Sequence, residues 1–173
     1  MIHIVEIKAR CLNQDHIRSI LNKLGSDCKG VDHQIDTYFN VPTGRLKLRQ
    51  GNIENALIFY RRPDQSGPKQ SDVILHPTNE TGTLLALLEA TLGVYVRVDK
   101  KREIHYIDHV KFHLDEVQGL GTFVEIEAID RHGIYDADQL LSDCRHYMQL
   151  FNIREEDLLE DSYSDQLIRT RNE

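Results

Sequence analysis

The sequence predicts an antiparallel α+β protein. About eight segments alternate apolar and polar residues with the period of a strand, and most are joined by short turns. Three or four helical segments complete the chain, and that ordering implies antiparallel strand pairing. Residues 2 to 10 alternate and include β-branched members, so they form the first strand. Asn13 caps a helix over roughly 14 to 24, with Ile17, Ile20, Leu21 and Leu24 on one face and Gly25 as its stop. A strand near 28 to 39 follows, then a turn at Val41-Pro42-Thr43-Gly44. Arg45 to Gln50 and Ala56 to Arg62 pair as a hairpin around Gly51-Asn52. Pro63 to Lys69 reads as a loop and Ser71 to His76 as a strand. Thr78 or Asn79 starts a helix ending at Gly93, whose Leu84, Leu87, Leu88 and Leu92 form a packing stripe. Three strands follow near 94 to 107, 110 to 117 and 122 to 130, with turns at Asp108-His109 and Gly119-Leu120-Gly121. Asp136 or Asp138 begins a helix to about 150, and a shorter helical piece covers 154 to 160.

A chain of 173 residues with 40% hydrophobic and 28% charged residues suits one folded domain over 1–173, and neither a repeat nor a Pro/Gly-rich linker divides it. Its apolar runs fall short of the roughly 20 residues of a membrane helix, and Met1-Ile2-His3-Ile4-Val5-Glu6 is charged too early for a signal peptide. Cys11, Cys28 and Cys144 are odd in number and lack CxxC spacing, so we expect reduced thiols in a cytoplasmic protein. A net charge of −7 argues against a general nucleic-acid binder. We therefore expect neither nucleic acid nor membrane as a partner, and a monomer or homodimer.

The bases are concentrated on particular strand faces. Residues i, i+2 and i+4 of a strand share a face, which aligns Arg45, Lys47 and Arg49 opposite Leu46 and Leu48. Val98, Lys100 and Arg102 repeat the arrangement, as do Lys111, His113 and Asp115. Glu6 and Lys8 lie opposite Val5 and Ile7, and Glu125 and Glu127 share a face with Phe123. A single such face is an ordinary solvated surface. Several cationic faces together are destabilising unless a polyanion neutralises them, because like charges oppose one another across neighbouring strands. Carboxylates aimed at the same space suit a divalent cation between them and that anion. The pattern fits a metal-bound oligophosphate inside a barrel.

Val5-Glu6-Ile7-Lys8-Ala9-Arg10, Asp36-Thr37-Tyr38-Phe39-Asn40 and Gly44-Arg45-Leu46-Lys47-Leu48-Arg49 resemble the CYTH superfamily, the triphosphate tunnel metalloenzymes. So do Tyr60-Arg61-Arg62-Pro63, Lys100-Lys101-Arg102-Glu103, and His113-Leu114-Asp115-Glu116-Val117 with Gly119-Leu120-Gly121 and Phe123-Val124-Glu125-Ile126-Glu127. The match runs in order from about residue 1 to 165 and is most similar to the class IV adenylyl cyclase-like branch. The resemblance implies an eight-stranded antiparallel β-barrel, the triphosphate tunnel, with helices packed outside. It implies Mg²⁺ or Mn²⁺ on Glu6, Glu125 and Glu127, with Asp115 a further ligand. Lys8, Arg45, Lys47, Arg49, Lys100, Arg102 and one of Arg61 and Arg62 would grip the triphosphate, with Lys111 at the tunnel mouth; Lys8, Arg102 and Glu6 would be catalytic. Ile4 stands where the family's ExExK signature has its first glutamate, which removes one metal ligand.

The implied function is a metal-dependent enzyme acting on a nucleoside triphosphate or another triphosphate-containing small molecule. The first choice is conversion of ATP to cyclic AMP and pyrophosphate. The alternatives are a triphosphatase for inorganic triphosphate, thiamine triphosphate or a nucleotide, and a non-catalytic nucleotide or polyphosphate binder, which Ile4 favours. His105, His109 and His113 would stack only on a helix, and their segment reads as two strands about a turn, so no joint histidine metal site is expected. His113 alone is a candidate tunnel residue. Ser162-Tyr163 resembles a C-terminal family element that touches the tunnel, with a plain surface role as the alternative. Lys69-Gln70-Ser71-Asp72 reads as solvated loop. No P-loop, GxSxG or Ser/His/Asp arrangement is present.

Overall fold

A computed structural model describes residues 2–62 and 67–172, so part of the loop expected over 63–69 lies outside the described residues. Eight strands are present: β1 (Ile2–Arg10), β2 (Asp27–Phe39), β3 (Arg45–Gln50), β4 (Ala56–Arg61), β5 (Lys69–Pro77), β6 (Val94–Ile107), β7 (Val110–Val117) and β8 (Gly121–Asp130). They close into a barrel in the order β1-β5-β4-β3-β2-β6-β7-β8, every pairing antiparallel. Closure leaves no unpaired sheet edge. Four helices lie outside: α1 (Gln14–Lys23), α2 (Thr81–Leu92), α3 (Ala137–Leu150) and α4 (Tyr163–Asn172). Among the described residues no helix is long and apolar enough to cross a membrane.

The main apolar core lies between barrel wall and helices, not inside the barrel. Val5, Ile7 and Ala9 of β1, Phe112 and Leu114 of β7, and Val124 and Ile126 of β8 pack against Ile17 and Leu21 of α1 and Leu140 and Cys144 of α3. The alternate residues of the same strands consequently face inward, and these are the charged ones. Both wall helices are capped as the residues suggest: Asn13 accepts the amide of His16 at 3.2 Å and Asp136 that of Gln139 at 2.8 Å. Gly44 (φ +67°) is required at the β2–β3 turn, since a Cβ there would meet the Phe59 ring at 2.7 Å.

Three local expectations are corrected. The second helix starts at Thr81 rather than Thr78 or Asn79, and its packing stripe is shallow, with Leu84, Leu88 and Leu92 half-buried and Leu87 exposed. Nothing in α2 is fully buried and Leu87 is 59% exposed; β2 and β3 lie alongside the helix, and Arg97 of β6 pairs with its Glu89. The helical piece over 154–160 is one 3₁₀ turn, Glu155–Asp157; Leu158 then turns extended and bridges to Ala9 of β1. The third concerns α4, which the sequence reading omits. Its start is a reciprocal cap in which Asp165 Oδ2 accepts the Ser162 amide (3.1 Å) and Ser162 Oγ accepts the Asp165 amide (3.2 Å).

Phe112→Ala should cost about 3–5 kcal/mol, since the ring is fully buried against Tyr147 and Phe151. Leu87→Gln should stay within about 0.5 kcal/mol. Urea unfolding of the two variants checks both.

Candidate active site

The barrel encloses a cavity of about 430 Å³. Eight cationic side chains line it (Lys8, Lys47, Arg49, Arg62, Lys100, Arg102, Lys111 and Arg131) against five carboxylates, Glu6, Asp36, Glu54, Glu125 and Glu127. That excess suits a polyanion. Five of the eight cations sit on β3, β6 and β7, while Lys8 is on β1 and Arg62 and Arg131 follow β4 and β8. β1, β4, β5 and the end of β8 also present an apolar patch of Ile2, Ile4, Ala56, Ile58, Val73, Leu75 and Ile129.

Cross-strand register builds the ion pairs. Asp36 lies opposite Arg49 and accepts two guanidinium bonds of 2.9 Å from it, plus Lys47 at 3.0 Å and Lys100 at 2.8 Å. Arg102 lies opposite Asp115, binds both its oxygens (2.7 and 2.6 Å) and reaches Glu125 at 2.7 Å. Asp115 also accepts the Tyr163 hydroxyl at 2.8 Å, while the Lys8 ammonium sits 3.3 Å from Glu125 and 3.8 Å from the Tyr163 ring centre. Glu6 pairs with Arg62, whose Nε and Nη2 are buried without a partner among the described residues. Glu54 reaches inward to Arg49 and Lys111 because Asp32, fully buried, accepts the amides of Asn52, Ile53 and Glu54 and pins that hairpin loop. Gly51 belongs to the same lock, since a Cβ there would strike the Asp32 carboxylate at 2.6 Å.

These neighbours set protonation. Burial opposes ionisation of Asp36, but Arg49, Lys100 and Lys47 together hold it well below the usual carboxylate range. Burial likewise opposes Glu125, and Lys8 and Arg102 outweigh it. Burial, with Arg102 and Lys111 nearby, pushes His113 down to about 3, so its imidazole is neutral. Glu127 goes the other way: burial and the charge of Glu125 push it up to about 7.

Of the residues singled out from sequence, Glu6, Lys8, Lys47, Arg49, Arg62, Lys100, Arg102, Lys111, Glu125 and Glu127 share the cavity. Arg62 faces inward and Arg61 is exposed beside Phe59, which settles the register of β4. Arg45 lines an adjoining smaller groove that shares Tyr38 with the cavity, bound to Asp165 at 2.9 Å and donating to Ser162 Oγ of the cavity lining at 2.7 Å. Asp115 is buried behind Arg102 and Tyr163, its oxygens already engaged. Ser162 and Tyr163 line the cavity. Lys69 belongs to β5 and is 2% exposed, donating to the Leu159 carbonyl at 2.9 Å, so it is no solvated loop residue. Sequence reasoning assigned no role to Asp36 or Glu54. Asp36 carried a signal, standing in strand alternation with Tyr38; Glu54 sits in a loop and carried none.

Among the described residues, three donors inside the barrel converge as a metal ion needs: one atom each of His113, Glu125 and Glu127, all within 4.8 Å of one another. The oxygen-rich set fits a divalent cation, and the raised Glu127 is a carboxylate short of countercharge.

The CYTH domain family model matches residues 3–163. A Methanocaldococcus jannaschii protein provisionally described as an adenylate cyclase is 23% identical over 168 residues, 92% of this chain and 95% of that protein. A porphobilinogen deaminase of Nitratiruptor sp. is 32% identical over 92 residues, 53% of this chain; the chain spans only 28% of that protein's length. A solved Pyrococcus horikoshii protein superposes with a TM-score of 0.81 at 21% identity, covering 94% of this chain and 98% of that one. A Hippeastrum protein, provisionally described as an adenylyl cyclase and reported to have a dominant triphosphatase activity, gives 0.64 at 12% identity, covering 100% and 97%.

In the metal-free protein, Glu127→Gln should raise Tm at pH 8 by several degrees and leave it nearly unchanged at pH 5. A raised carboxyl favours the protonated fold, so its penalty grows as pH climbs from the unfolded value towards 7. Thermal melts in chelator at the two pH values check the sign.

Proposed function

The chain belongs to the CYTH domain family, and we propose on that footing that it is a metal-dependent enzyme that binds an organic triphosphate in the barrel. The observation that carries this reading is the cationic excess of the cavity, with two nitrogens of Arg62 buried and unpartnered. A triphosphate supplies the missing anionic oxygens and competes with the carboxylates for the same guanidinium and ammonium groups. Arg49, Lys47, Lys100 and Arg62 would hold it, and Lys8 and Arg102 would neutralise charge at the reacting phosphorus. The apolar wall of Ile2, Ile4, Ile58 and Val73 favours a substrate with an organic part over inorganic triphosphate.

The reaction we favour is attack of the ribose 3′-hydroxyl of ATP on the α-phosphorus, releasing pyrophosphate and forming cyclic AMP. Catalysis would come from positioning and preorganised charge, with Lys8 and Arg102 held in place by Glu125 and Asp115. A bound Mg²⁺ or Mn²⁺ supplies further neutralisation of phosphate oxygens, and Glu125 and Glu127, with Glu6 one strand away, would hold it. The second reading is a triphosphatase, in which water attacks the terminal phosphorus. The activity reported for the Hippeastrum protein of the same fold supports it.

Incubation with Mg²⁺ or Mn²⁺ and, separately, ATP, inorganic triphosphate and thiamine triphosphate, with products resolved by chromatography, separates these readings. Cyclic AMP with pyrophosphate is expected; orthophosphate without a cyclic product would establish the triphosphatase, and binding without turnover would leave a binder. Arg102→Ala should lower kcat by about 10²- to 10³-fold, whereas Arg61→Ala should stay near wild type. Glu125→Gln with Glu127→Gln should abolish metal-dependent turnover.

A further inference from the structure

We infer that the divalent ion of this barrel is held through a histidine: His113 joins Glu125 and Glu127 in a nitrogen–oxygen–oxygen site that takes Mn²⁺ or another transition ion in preference to Mg²⁺. The inference rests on the metal-dependent reading above and deepens it.

The geometry is the first argument. His113 Nδ1 lies 3.2 Å from Glu125 Oε2 and 3.8 Å from Glu127 Oε1. Two ligands at right angles on an ion with bonds near 2.1 Å sit about 3.0 Å apart, and tetrahedral ligands about 3.4 Å apart. The shorter contact is a hydrogen bond, and Arg102 also donates to that Glu125 oxygen at 2.7 Å, so an ion would take the place of these donors among three atoms that already lie within 4.8 Å of one another. Register holds them there, since His113 of β7 is the direct cross-strand partner of Glu125, and Glu127 follows two residues along the same face of β8.

The remaining candidates are less well placed. Asp115, bonded to Arg102 and Tyr163, lies outside the group of three converging donors, although it is no more engaged than Glu125, which Arg102, Lys8 and His113 hold. Ile4, paired with Ile129 and Ser71, offers no donor atom at all. Glu6 is across the β1–β8 pair, clamped by Arg62. With only these carboxylates the ion would have a thin oxygen set, and His113 makes up the deficit.

Among the described residues His113 is bonded through one ring nitrogen only, its Nδ1 to Glu125 at 3.2 Å. It is 1% exposed, yet its Nε2 has no hydrogen-bond partner. With Nδ1 donating to Glu125 the lone pair sits on Nε2, so an ion bound at Nδ1 takes the place of that hydrogen and shifts the ring proton to Nε2. Imidazole favours transition ions over Mg²⁺, which prefers oxygen and retains its water.

The test is Mn²⁺ binding to the full chain, followed by electron spin-echo spectroscopy of the bound ion and by calorimetry against Mg²⁺. Wild type should show nitrogen modulation on Mn²⁺, changing to the ¹⁵N pattern when its histidines carry ¹⁵N, and should bind Mn²⁺ at least about tenfold more tightly than Mg²⁺. His113→Asn should lose the modulation and about tenfold in Mn²⁺ affinity, while Mg²⁺ affinity moves less than about threefold. Bound Mn²⁺ without nitrogen modulation, or modulation persisting in His113→Asn, overturns the inference. The isotope arm needs no variant, so misfolding of the substituted chain does not blunt the test. Calorimetry with inorganic triphosphate in chelator reports the anion site separately. Triphosphate binding without Mn²⁺ binding would sink the histidine site and leave the anion site standing, whereas loss of both would overturn the reading of the tunnel itself.

Discussion

Lys47, Arg49 and Lys100 converge on one carboxylate, Asp36, inside a closed barrel. Taking such groups out of water costs several kcal/mol per ion, and that cost is met only where a counter-charge and hydrogen bonds stand at contact distance. Asp36 does this for three cations, and the Asp115–Arg102–Glu125–Lys8 chain does it for the opposite side. Without these carboxylates the like charges on β3 and β6 would repel across the lumen, and the interior would either collapse or flood. The placement of the core follows from the same constraint. An interior this polar cannot supply hydrophobic stabilisation, so the main apolar burial is moved outside, between the wall and α1 and α3.

The strand period makes the division possible. Each strand sends one set of side chains outward to the helices and the alternate set inward to the ions, so one stretch such as Val5-Glu6-Ile7-Lys8 serves both at once. Ile7 and Lys8 differ by one residue and occupy opposite sides of the wall. Closure adds a third role, because it wraps the apolar residues of β1, β4 and β5 around to face the cationic strands. The cavity is therefore amphipathic, with most of its cations on β3, β6 and β7 and an isoleucine–valine patch on β1, β4 and β5.

The internal carboxylates also shape how the site meets an anion. Arg102 and Arg49 are preorganised by the acids that neutralise them, so a triphosphate finds its donors already oriented but already bonded. Affinity then depends on exchanging carboxylate bonds for phosphate bonds, and Arg62, with two free nitrogens, is the donor that needs no exchange. Glu54 stands in the same position, a carboxylate delivered to Arg49 and Lys111 by a loop locked on Asp32.

Much of this was legible from residues alone. The strand segments, the caps at Asn13 and Asp136 and the cationic faces of β3 and β6 all follow from local period and chemistry, which the chain carries without reference to its fold. What local pattern cannot contain is which strand meets which. The pairing of Arg102 with Asp115, which engages both carboxylate oxygens, depends on β6–β7 register. The choice of Arg62 over Arg61 depends on where β4 sits against β5. Asp36 and Glu54 gain their roles from cations far off in the chain, up to 64 residues away for Lys100 and 57 for Lys111. The leucines of α2 show the converse limit, since helical period announces an apolar face but not how deeply it is covered, and here Leu84, Leu88 and Leu92 are only half-buried. Composition and period thus determined the strands and the chemistry they carry. Closure and register, being long-range, decided which charges neutralise one another and which remain for a ligand.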